Sequence, residues 1–373
     1  MVSMRIKGER LGLGKWVFEH RFLLIVIPCS LIIVASATLS TLVLVGAFDE
    51  PVAEEPEPEP IPDPKPIVRY FSRLTGLPVA SKELLNSPAT CVMVENSTAA
   101  RPQSGLRNAG VVYEAIAEGG ITRFTAVYQE HDLPALIGPV RSVRLHFVQW
   151  LKQYQCAVAH VGGAGDALAL VKSAGFRDID QFYNSNYYSR TLVPGRYGEH
   201  SVYTTADWMK AINVAKGFGA SEFVGFSRAI GGKLPTRSGV PATAINMKIS
   251  SGYWNVSYGY YAPSNCYLRS HESGGAHMDR DVNAELVQNS PKVVVAVMVT
   301  EELREGGPYW NQVVLGSGVA HVFQNGEYIA ATWTKSSIDS ELEFRDATGK
   351  PIVFVPGQVW ISAVNVNRAV TWQ

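Results

Sequence analysis

The chain has 373 residues, 46% of them apolar and 18% charged, with 33 Lys+Arg against 33 Asp+Glu. That length is a soft prior for two or three domains. The balanced charge excludes a nucleic-acid binder that works by bulk electrostatics, because no basic excess exists to displace phosphate counterions.

Residues 22–48 carry no charged side chain. About 20 apolar residues suffice to cross a bilayer, and Pro28 is a kink that membrane helices tolerate. Arg5, Lys7, Arg10, Lys15 and Arg21 precede the run; Asp49, Glu50, Glu54, Glu55, Glu57 and Glu59 follow it. The bias of basic residues toward the cytoplasm predicts a cytoplasmic segment 1–21, a spanning helix 22–48 and an extracytoplasmic remainder. The expected localisation is the cell membrane, single-pass, with the membrane itself as a partner. A cleaved signal peptide ending at Ala47 is the first alternative, disfavoured by the length of the run. Lipidation of Cys29 is the second, disfavoured by Pro28 before it. Residues 49–66 alternate Pro with acids, cannot bury a core, and read as an extended tether.

Segment 67–225 mixes strand and helix signals. Apolar runs at 91–94, 111–113, 123–129 and 157–161 suit buried strands. Residues 141–154 predict a helix from Val143, Phe147, Trp150, Leu151 and Tyr154, with Ser142 as candidate cap. Residues 166–174 predict a helix closed by Gly175, and 204–216 one capped by Thr204 or Thr205 and stopped by Gly217. A loop-rich join at 225–240 separates the second domain, 241–373, which is β-rich. Its strands are 244–249, 254–261, 292–300 and 359–366. Hairpins are predicted around Asn325-Gly326 and around 346–349. The expected class is α+β: a mixed α/β N-terminal domain, then an antiparallel β-rich C-terminal domain, preceded by one transmembrane helix.

Cys91, Cys156 and Cys266 lie beyond the apolar run. Three cannot all pair, no CxxC spacing exists, and their apolar contexts favour buried free thiols over a disulfide. No metal-ligand spacing is present, and no cofactor is expected.

Polar groups concentrate among glycines in Glu95-Asn96, 101–105, Glu114, 118–123 and 138–144. Arginine grips carboxylates and phosphates in bidentate fashion. Arg141 and Arg144 would share one helical face at its N-terminal end, where the dipole favours an anion. The expected ligand-binding set is Arg101, Glu114, Glu118, Arg123, Arg141 and Arg144. The competing reading is a structural ion-pair network with Glu95, Glu114 and Glu118.

The runs Arg101-Pro-Gln-Ser-Gly105, Val112-Tyr-Glu114, Glu118-Gly-Gly-Ile-Thr-Arg123 and Gly138-Pro-Val-Arg-Ser142 resemble the YerB-like family of bacterial lipoproteins. In the second half, 318–335 and 344–364 do likewise, so the similarity covers about 77–366. The resemblance implies a two-domain layout and an envelope location, and supplies no reaction, since the family's domains have no known function. The chain departs from it in lacking a lipobox. It also carries Gly198-Glu-His-Ser201 where relatives have Pro-His-Asn, so His200 is kept and the Asn is not.

His160 ends a strand before Gly162-Gly163, in loop territory that often carries function. Glu118, His160 and His200 are the weak catalytic candidates; His160, His200 and Glu118 or Asp166 would be the one conceivable metal set. No GxSxG elbow appears. His271 and His277 read as surface-loop residues. Two functions follow as expectations: an envelope module binding an anionic, glycan or partner-protein ligand through the Arg/Glu/Gly surface, or a peptidoglycan hydrolase using Glu118 with His160 or His200. Convergence of Arg101, Glu118, Arg123, Arg141 and His200 would decide between them.

Overall fold

The computed structural model describes residues 69–303 and 310–373. The segments 1–21, 22–48 and 49–66 lie outside the described residues. Val68–Gln373 forms one compact unit.

Its frame is an eleven-stranded mixed sheet fed by both halves of the chain. The first half supplies β1 (Ala89–Glu95), β2 (Val111–Glu118), β3 (Ile121–Gln129), β4 (Ala157–His160) and β5 (Arg177–Asp180). A second, five-stranded sheet begins with β6 (Ala244–Met247), β7 (Val256–Tyr261), β8 (Cys266–His271) and β9 (Gly275–Ala276). The large sheet then gains β10 (Val293–Val299), β11 (Gly316–Gln324), β12 (Glu327–Lys335), β13 (Glu343–Asp346) and β14 (Val359–Asn365). Its order is β13-β12-β11-β10-β14-β2-β3-β1-β4-β5, with Val240–Pro241 pairing β12 off that path. The terminal strand β15 (Val370–Trp372) closes the smaller sheet in the order β9-β8-β7-β6-β15.

The join is parallel. β14 lies between β10 and β2, parallel to both, with Ser362 opposite Glu114. Side chains alternate across the sheet. Val293, Val295 and Val297 enter the core that also holds Val111, Tyr113 and Ala115. Val294 and Ala296 turn the other way, onto the five-stranded sheet with Ile245, Met247 and Tyr258.

Three α-helices occur among the described residues: α1 (Leu145–Leu151), α2 (Gly165–Ser173) and α3 (Ala206–Ala215). α3 matches its signals: the Thr205 side chain accepts from Trp208 N, and Met209 and Ile212 face the core. The Asn325-Gly326 hairpin forms with both residues at positive φ, 57° and 71°, as a primed turn between twisted strands requires.

The expected α+β class is corrected: the fold is mostly β. The apolar runs of the first half are interior strands of the sheet that the second half completes, and the helices are short caps on its faces. The helix expected over 141–154 is also corrected. Arg144 is extended at φ −131° and the helix starts only at Leu145. Before it, Val140 bridges Val94, Arg141 N donates to Met93 O, and Val143 N donates to Gly162 O. Arg141 and Arg144 therefore share no helical face. Sheet pairing used the backbone that the helical spacing had claimed.

The single-pass location is corrected too. Among the described residues no helix is long and apolar enough to cross a membrane, and the run to which the crossing was assigned lies outside them. Cys91 and Cys156, read as free thiols, form a disulfide with Cα atoms 5.8 Å apart. The parallel pairing of β1 with β4 brings Cys156, the residue just before β4, alongside β1 and within reach of Cys91. Cys266 is free and buried.

Candidate functional site

Glu114 is the middle of a bolt between the two sheets. On β2, Val111, Tyr113 and Ala115 face one core, so alternation turns Glu114 to the opposite face, toward β8. There Arg269 Nη2 donates to both of its carboxylate oxygens, at 3.0 and 2.9 Å. Thr122 Oγ1 (3.1 Å), Trp360 Nε1 (3.2 Å) and Ser362 Oγ (3.2 Å) complete its donors. Both Glu114 and Arg269 are wholly buried. A buried charge pair is tolerable only when its remaining groups are hydrogen-bonded, and these are. The guanidinium also lies 4.7 Å from the Trp360 ring centre, and its Nε donates to Tyr258 OH at 3.2 Å.

From Arg269 the network continues outward. Arg269 Nη1 donates to His277 Nδ1, so His277 Nε2 carries the proton it gives to Gln103 Oε1 at 3.0 Å. Gln103 Nε2 donates to Glu95 O and to Asn96 Oδ1, at 2.9 and 3.0 Å. Burial first, then Arg269, holds His277 well below the ordinary imidazole range.

A second set surrounds Glu95, opposite Arg123 in the β1–β3 register. Glu118 takes Arg123 Nη2 at 2.7 Å on one oxygen and Arg144 Nη2 on the other. Arg123 also donates to Ser142 O at 2.6 Å; burial lowers its pKa to about 9. Glu95 is bonded by His200 Nδ1 at 2.9 Å and by Ser97 Oγ at 2.8 Å, with Arg141 Nε at 3.7 Å. Arg141 Nη2 lies 3.5 Å from Glu199. Glu95, Glu199 and His200 offer ligand atoms within 4.8 Å of one another, but Arg141 pairs with both carboxylates and supplies their counter-charge.

His160 stands elsewhere. Its Nδ1 meets Gly162 O at 2.9 Å and its Nε2 meets Asp178 at 3.0 Å, wholly buried at the end of β4. The structure thus groups Glu118, Arg123 and Arg144, and beside them Arg141 and His200. It does not bring His160 to Glu118, and Glu114 lies deeper, on Arg269.

Arg101 differs from every other candidate arginine. Its Nε donates to Asn96 Oδ1 at 3.0 Å, and its Nη2 to Asn96 O at 3.3 Å and Tyr253 O at 2.9 Å. Those are neutral acceptors. Arg123, Arg141, Arg144 and Arg269 each pair with a carboxylate, whereas among the described residues Arg101 has none at ion-pair distance. Burial, and then Arg269, lowers its pKa to about 10, so it is charged at neutral pH.

Arg101 lines a cavity of about 340 Å³ with Tyr253, His271, His277, Met278 and Leu286. His271 is 5% exposed, and neither ring nitrogen has a hydrogen-bond partner. Its pKa is pushed down to about 2 by burial, then Arg269 and Arg101. The surface-loop reading of His271 and His277 is thereby corrected. On β8 the residues Tyr267, Arg269 and His271 alternate inward, a period-two signal present in the sequence.

Two family models match the chain: the N-terminal domain of a protein of unknown function, DUF3048, over residues 74–219, and its C-terminal domain over 245–361. The chain belongs to this family. It is 29% identical over 298 residues to "Putative lipoprotein YerB" of Bacillus subtilis (strain 168), covering 78% of this chain and 85% of the relative. The crystal structure of the YerB protein from Bacillus subtilis superposes with a TM-score of 0.68 at 24% identity, covering 81% of this chain and 99% of that one. That likeness supports the fold. The relative's name calls that protein a lipoprotein.

Proposed function

We propose that this family member is an envelope-associated binding module whose ligand is anionic, a cell-wall component being the expected source. Envelope association rests on kinship with a protein named a lipoprotein. The Cys91–Cys156 bridge agrees with it, since disulfides persist mainly in oxidising compartments.

The observation that carries the ligand class is Arg101. Among the described residues it is the candidate cation with no carboxylate at ion-pair distance, Glu114 acting on it only from farther off, and it borders a cavity. Arginine in such a setting takes carboxylate or phosphate oxygens. The other candidate groups serve the fold: Glu114 bolts the sheets, while Glu118 holds Arg123 and Arg144. With the Glu118 oxygens spent on those arginines, and His160 and His200 on Asp178 and Glu95, no observation favours the hydrolase.

Retention on purified cell-wall fragments tests the reading. The Arg101→Ala variant is expected to lose retention, and Arg237→Ala, an exposed arginine paired with Glu327, to keep it. Equal retention by the Arg101→Ala variant and the unaltered chain would overturn the proposal.

A further inference from the structure

The cavity beside Arg101 contains more than an anion needs. Three features point to the rest of the ligand, and this inference rests on the anion-binding reading above.

The first is His271. A buried polar group without a hydrogen bond costs of the order of 1–3 kcal/mol, so the imidazole of His271, whose two nitrogens lie unpartnered just beneath the cavity wall, gains a partner when the ring turns toward the cavity. Because it is neutral, the ring presents one N–H donor and one bare nitrogen acceptor. A single carboxylate satisfies only the donor. A hydroxyl satisfies either nitrogen.

The second is Tyr253. Its side chain is 57% exposed on a loop that is firmly held: Tyr253 O accepts from Arg101, and the neighbouring Trp254 Nε1 donates to Asn96 O at 2.8 Å. An exposed aromatic on an anchored loop costs little entropy to use and offers a flat apolar face. The third is the wall made by Met278 and Leu286, with Leu286 52% exposed. Its apolar surface suits C–H groups.

We infer that the Arg101–Tyr253–His271 cavity is a subsite for a sugar acid, a pyranose ring bearing one carboxylate. The carboxylate lies on Arg101, one ring face on Tyr253, and ring hydroxyls on His271 once its ring has turned into the cavity. About 340 Å³ falls at the lower end of the roughly 300–1,000 Å³ typical of small-molecule pockets, which fits one residue of a glycan better than an extended chain segment.

Isothermal titration of the purified full chain with D-glucuronate, D-glucose, acetate and inorganic phosphate tests this. Glucuronate is expected to bind at least tenfold more tightly than acetate or glucose. Tyr253→Ala should reduce glucuronate to the acetate level and leave acetate unchanged. His271→Phe should weaken glucuronate at least fivefold, and Arg101→Gln should abolish both acids. Equal binding of glucuronate and acetate, both lost in Arg101→Gln, would overturn the sugar-acid inference and leave the anion reading standing. No binding of glucuronate, acetate or phosphate would overturn both.

Discussion

Replacing Arg269 by Met removes the guanidinium while keeping an unbranched apolar stem among Phe124, Tyr258 and Trp360. Glu114 then remains wholly buried, held only by Thr122, Trp360 and Ser362. Breaking a buried pair by removing one partner costs about 3–5 kcal/mol, because the other charge is left uncompensated. Three surviving donors place Arg269→Met near the lower end of that range, about 3 kcal/mol. Urea unfolding followed by far-UV dichroism measures the loss. Adding Glu114→Gln removes the orphaned charge, so the double variant should recover at least about 1 kcal/mol over Arg269→Met alone, a coupling typical of contacting residues. A loss below about 1 kcal/mol for Arg269→Met, or simple additivity in the double variant, would refute the bolt between the sheets.

The Cys91–Cys156 bridge spans 65 residues of chain, so loop entropy predicts that Cys91→Ser/Cys156→Ser loses about 4 kcal/mol in denaturant titration. Asp279 is buried with its pKa raised to about 7, chiefly by desolvation, and its Oδ1 has no partner while Oδ2 accepts from Arg107 N. The unfolded chain ionises this group from about pH 4 and the folded chain only near 7, so it progressively removes stability as pH rises between those values. Asp279→Asn should therefore be more stable than the unaltered chain at pH 7.5, with the advantage vanishing below pH 4 in thermal scans. His146 is buried against Phe147 and Trp150, with its pKa lowered to about 3 by burial first. The unfolded chain takes up that proton below about pH 6.5, so His146 contributes a loss of stability as pH falls from 6.5 toward 3. His146→Gln should lessen that acid sensitivity in the same scans.

Local signals were legible where one segment settles its own shape. The Asn325-Gly326 turn needs two residues at positive φ and has them, and α3 carries both cap and stop. Signals that depend on a distant partner were not legible. Nothing within 359–365 says that it inserts between 111–118 and 293–299, so the shared sheet was unreadable and the halves looked like different classes. The disulfide follows from the same kind of pairing, between β1 and β4. At the site, the motifs around 95–144 marked the charged residues, yet their roles were decided by partners far along the chain. Arg269, 155 residues from Glu114, took the carboxylate that sequence reasoning offered to a ligand. Arg101 was named, and its distinction is the lack, among the described residues, of a carboxylate at ion-pair distance, which no spacing records. His271 was discounted although alternation along β8 puts it inside with Tyr267 and Arg269.

The central claim is that Arg101 is the cation left open for an anionic ligand. Side-chain NMR of ¹⁵N-arginine-labelled protein tests it directly, by following the Nε–Hε signals as soluble cell-wall fragments are added. The account predicts saturable movement of the Arg101 signal while Arg123 and Arg269, tied to Glu118 and Glu114, stay fixed. A static Arg101 signal at saturating fragment, or movement confined to Arg123 or Arg141, would contradict it.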